Sequence, residues 1–119
     1  EETFIRSIIS NRINFGLDNA ETMLILFSEI LRDKELCRQV GVEMLTPNLK
    51  LGRSFIESKV ESATSRPIDA DIAIRCVIGM IIGFIILRRM EGESSPIDGM
   101  DREYLLEQIF EFVLGAIKL

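Results

Sequence analysis

Cys37 and Cys76 carry the most reactive side chains in this sequence, able in principle to bridge, to hold a soft metal or to attack as thiolates. No CxxC pair is present and the chain contains no histidine, which removes the common zinc frameworks and every Ser-His or Cys-His dyad. The 19 Asp and Glu residues could do acid–base work, yet no pair lies at helical spacing within an apolar setting that would tune it. Nucleophile and phosphate-loop signatures are missing as well. The pattern points away from an enzyme and predicts no catalytic residue, no metal and no cofactor. No secretion signal is evident, so reduced thiols in the cytoplasm are the expectation, and both cysteines read as inert and buried.

With chemistry set aside, what remains is binding, and composition narrows it. A net charge of −5 and a pI near 4.8, with no basic stripe, argue against direct contact between these residues and nucleic acid. The 119 residues suit one domain, and 47% hydrophobic against 28% charged residues is a globular balance. There is no initiator Met, and the opening "EETFIRSIISNRINF" already carries Phe4, Ile5, Ile8, Ile9 and Ile13 at helical spacing, so the chain reads as part of something longer.

The elements follow from starts and stops. Asp18 stands three residues before Glu21, a capping-box spacing, ahead of Met23, Leu24, Phe27, Ile30 and Leu31, which predicts a helix from about Ala20 to Asp33. Helical spacing resumes over residues 34–64 and is interrupted by Pro47. Either one kinked helix or two nearly continuous ones, the second capped by Thr46, accommodate it. "SRPIDAD" is a break, with Asp69 capping a helix over 70–90; "EGESSPIDGM" reads as a loop; Asp101 caps a last helix over 102–118. No alternating strand pattern occurs, so the expected class is all-α with about five helices.

The helix over 70–90 contains "CVIGMIIGFIIL", twelve residues without a charged or strongly polar side chain, bounded by Arg75 and by Arg88 and Arg89. A membrane span needs about 20 residues, so a shorter run reads as a buried helix. One packing surface is too little for it. Ile74, Val77, Ile78, Ile81 and Ile85 form a bulky ridge suited to the chain's own core, while Ile72, Cys76, Gly79, Gly83, Leu87 and Met90 form a smoother stripe. Gly costs about 1 kcal/mol relative to Ala inside a helix, so two on one stripe suggest a close crossing that compensates. The last helix also has two greasy stripes, Leu105, Ile109, Phe112, Val113, Ala116 and Leu106, Phe110, Leu114, Ile117. Two such helices predict a homodimer in which they form an intersubunit four-helix bundle.

In order and spacing, "EILRDKEL", a long helix containing proline, the "RPIDAD" break, a Gly-containing greasy helix, a polar loop and "DREYLLEQIFEFVLGAIK" resemble the C-terminal domain of TetR-family transcriptional regulators over the whole chain. The resemblance implies dimerisation through helices 70–90 and 102–118, with Ile72, Cys76, Gly79, Gly83, Leu87, Leu106, Phe110, Val113, Leu114 and Ile117 at the contact. It also implies an effector pocket among the earlier helices, with a small apolar ligand touching Phe4, Ile8, Met23, Phe27, Met44, Leu45, Leu49 and Phe55. DNA would be bound only by a helix-turn-helix domain preceding these residues. A second reading is a helical dimerisation or adaptor module with no pocket. Asn48 and Arg53 are expected to face solvent, and Arg75 to pair with Asp71 one turn earlier.

Overall fold

A computed structural model describes residues 2–62 and 67–117, the side chains of Glu2 and Ile117 excepted. The described residues form helices and turns with no strand among them: α1 (Glu2–Asp18), α2 (Ala20–Arg32), α3 (Lys34–Val40), a π turn (Gly41–Leu45), α4 (Thr46–Glu61), α5 (Ala70–Glu91) and α6 (Arg102–Ile117). Because α3, the π turn and α4 run on without a break, the described residues make five helical rods, as the periodicity predicts. The break at Ser65 and Arg66 and the far end of the last helix lie outside the described residues.

Helix α5 is the hub, packing against α1, α2 and α4, while α6 docks chiefly on α1. The tightest cluster joins Phe55 and Ile56 of α4 to Ala70 and Ile74 of α5, with Ile5, Leu49, Val60, Ile68, Ala73 and Ile78 around it. Two glycines admit the α5 ridge. A Cβ on Gly16 would overlap Ile85, and one on Gly52 would overlap Ile74, so each glycine is where an isoleucine enters a neighbouring helix.

Several local devices are the expected ones. The Asp69 carboxylate accepts from the backbone N–H groups of Asp71 (2.9 Å) and Ile72 (3.1 Å) and starts α5. Asp101 accepts from Tyr104 N at 3.3 Å and starts α6. Arg75 lies 3.7 Å from Asp71, and Arg53, rather than merely facing water, joins the same carboxylate at 3.0 Å and Glu57 at 2.8 Å. That network ties α4 to α5.

Other devices differ from expectation, each for a physical reason. Asp18 does not cap α2; it accepts from Arg102 at 3.2 Å and fastens α6 to α1. The interruption between α1 and α2 is the single residue Asn19, whose side chain donates to Phe15 O at 3.0 Å. Asp33 ends α2 and caps α3 instead, accepting from Glu35 N and Leu36 N. Thr46 does not cap a new helix: it is itself helical, and both its N–H and its hydroxyl donate to Gly41 O. The π turn takes up the register that Pro47, having no N–H, cannot close in an ordinary α-helix. The polar segment expected as a loop is ordered as two 3-10 turns, Gly92–Ser94 and Pro96–Gly99, hinged on buried Ser95. Gly92, at φ 65°, supplies the left-handed turn that ends α5, and an Arg88–Asp98 ion pair folds the segment back.

Candidate functional site

Helix α5 presents different chemistry on opposite sides. Ile74, Val77, Ile78, Ile81, Ile82 and Ile85 recur at three- and four-residue intervals and wall a cavity of about 300 Å³. Its other walls are Ile5, Ile8 and Ile9 of α1, Met23 and Phe27 of α2, Gly52, Phe55 and Ile56 of α4, and Val113 and Leu114 of α6. The volume stands at the lower end of the range for small-molecule sites. Walls of this kind cannot hydrogen-bond, so they would hold an apolar body by desolvation alone.

Of the residues expected to touch a ligand, Ile8, Met23, Phe27, Leu45 and Phe55 do line the cavity, and Phe4, Met44 and Leu49 do not. Phe4 is 59% and Met44 63% exposed on the outer surface, while Leu49 packs into the α4–α5 cluster. Met44 sits in the π turn, which carries an extra residue, so positions before and after it do not share the face a straight helix would give them. The α5 ridge, expected to be plain core, supplies the longest wall. Arg12, Phe15, Asn48 and Leu51 complete the lining. The signal for Arg12 was its place four residues after Ile8, a charge on the apolar stripe of α1.

The other side of α5 is largely uncovered by the described residues. Ile72, Cys76, Gly79, Leu87 and Met90 are exposed, and a Cβ on Gly79 or Gly83 would meet nothing within 4 Å. The close crossing those glycines suggest is therefore not made by any of the described residues. Between α5 and α6 runs an apolar groove lined by Ile68, Ile72, Ala73, Cys76, Met80, Val113 and Ala116. On α6 the faces divide differently from the expected stripes. Phe110 and Val113, assigned to the intersubunit contact, are buried inside the chain, where Arg6 of α1 lies 4.8 Å from the Phe110 ring centroid. Leu106 and Leu114 are half-buried, and Phe112 at 70% exposure points outward. Ile117 lies outside the described side chains.

The cysteines also depart from expectation: Cys76 is exposed and Cys37 half-buried, both as free thiols. From Ala70 to Ser94 the α5 region is long and apolar enough to cross a membrane, and only 17% of its most apolar window is buried. Among the described residues, no three Cys, Asp or Glu side chains gather as a metal site would require. No family model matches the chain, and no curated protein does either.

Proposed function

We propose that the chain is the ligand-binding and dimerisation domain of a one-component transcriptional regulator of TetR-like organisation, a cytoplasmic repressor whose DNA-reading heads precede these residues. The single observation that carries this reading is the two-sided α5, with one face walling an apolar cavity and the opposite face bare. A helix built this way couples ligand to assembly. A small apolar effector that binds one arrangement of α1, α2, α4 and α5 better than another shifts α5, and with it the partner subunit, by no more than its differential affinity.

The test is thermal unfolding of the chain against a panel of small apolar and aromatic compounds. A ligand that binds the folded state adds stability by mass action, about 2.7 kcal/mol at a hundredfold excess over Kd, so the midpoint climbs with concentration. Midpoints that stay flat across the panel leave the cavity as a packing void. That result favours the adaptor reading, to which the exposed Ile25, Leu26, Leu31 and Val42 on α2 and the π turn lend a second apolar surface.

A further inference from the structure

The polarity of the cavity is confined to its mouth. Its solvent-exposed lining residues are Arg12 and Phe15 on α1 and Leu45, Asn48 and Leu51 on the π turn and α4; every other lining residue is buried or half-buried and none carries a polar side chain. A ligand that satisfies this arrangement has polar atoms at one end only.

Arg12 sets the sign of that end. Among the described residues every other arginine is within 4.0 Å of a carboxylate: Arg6 with Glu107, Arg32 with Glu29, Arg38 with Glu35, Arg53 and Arg75 with Asp71, Arg88 with Asp98, Arg89 with Glu21 and Arg102 with Asp18. Arg12 has no such partner, although the chain carries a net charge of −5 and has acids to spare. Its neighbours one turn away on α1 are Ile8, Ile9, Phe15 and Gly16, so its own helix offers it no counter-ion. The guanidinium fork matches a carboxylate with two parallel hydrogen bonds. Asn48 gives one amide hydrogen to Met44 O at 2.7 Å and retains a second for a ligand.

Size supplies the remaining limit. At the roughly 30 Å³ that a water-sized group occupies in a liquid, the cavity holds about ten non-hydrogen atoms. We infer that the site takes a single-chain carboxylate of medium length, with the tail along the α5 isoleucines and the head on Arg12 at the mouth. This rests on the ligand-binding reading above and names the ligand class of the same cavity.

The experiment measures binding of decanoate, decanol and decyltrimethylammonium to the whole chain by calorimetry, below their micelle concentrations, and repeats it with Arg12→Gln. Arg12 is exposed, so the variant keeps its fold, which circular dichroism verifies. Decanoate should bind roughly threefold to fivefold tighter than decanol, the scale of a solvent-exposed ion pair, with the ammonium weakest. Arg12→Gln should bring decanoate down to the level of decanol and leave decanol unchanged. Equal binding of decanoate and decanol, or decanoate binding untouched by Arg12→Gln, overturns head recognition while the cavity reading stands. Failure of all three to bind overturns both.

Discussion

Cys76 is the side chain whose surroundings say most about how the molecule is completed. A free cysteine is among the most buried residue types, yet this one stands exposed between Ile72 and Gly79 on the bare face of α5. If that face meets a second copy of itself across a two-fold axis, the two thiols come near one another, because an isologous contact repeats each residue on both sides. A short bis-maleimide should then link wild type and Cys37→Ser into covalent dimers and fail with Cys76→Ser. Cross-linking that survives Cys76→Ser would place the contact elsewhere. Single residues are also where sequence reading meets its limit. Asp69 and Asp101 were legible as caps because the groups they bind lie two or three positions away. Asp18 had the same local credentials, but Arg102, far along the chain, competes for its carboxylate, and no local pattern reports that. The same holds for Arg12, whose lack of a carboxylate partner among the described residues is visible only once the other described arginines have found theirs.

At the scale of elements, the glycines of the folded chain separate into two kinds that sequence alone leaves alike. Gly16 and Gly52 are sites of close approach, filled by Ile85 and Ile74, whereas Gly79 and Gly83 face open space. Gly52→Ala gains about 1 kcal/mol of helix propensity but pushes the methyl into Ile74, whose branched side chain has few rotamers to retreat to; overpacking of this kind costs about 1–3 kcal/mol. The variant should unfold at lower urea than wild type. Gly79→Ala and Gly83→Ala meet none of the described residues and should each stabilise the monomer by roughly 0.5–1 kcal/mol. If their stripe is where two subunits cross closely, the same changes weaken the dimer. Urea unfolding and sedimentation equilibrium on the same variants therefore move in opposite directions, and agreement in sign would remove the crossing from this stripe. The helices themselves were legible, since apolar spacing of three and four runs through all of them. The π turn was not, because Pro47 permits either a restarted helix or a continuous one with an inserted residue. Nor could the ridge of α5 be told apart as core or cavity wall: both uses want isoleucine, and only the distance to the opposite helices distinguishes them.

The whole molecule is a slab of 41 × 40 × 20 Å with a radius of gyration of 15.4 Å, where a compact chain of this length has about 13.5 Å. It exposes 8061 Å², against about 6,500 Å² for a folded monomer of 13.5 kDa. The excess is larger than the roughly 800 Å² that each partner contributes to a standard interface, and much of it is greasy: Ile72, Leu87, Met90 and Phe112 are each more than 60% exposed. Large side chains left wet forgo about 1.5–3 kcal/mol apiece, so four of them are comparable with a small domain's net stability. Such a surface demands a cover, and a second copy supplies one with the same shape and the same chemistry. The expected result is a sedimenting dimer at micromolar concentration, converted to monomer by Leu87→Glu, which sits at the exposed end of the stripe and disturbs no internal contact of the kind made by Ile74 or Ile85. The competing cover is lipid, since the stretch from Ala70 to Ser94 has the length and apolarity of a span. Flotation with phosphatidylcholine vesicles separates the two. A dimer that stays at the bottom of the gradient assigns the bare face to the partner subunit, and a monomer that rises with the vesicles assigns it to the bilayer and removes the basis for coupling effector to subunit spacing.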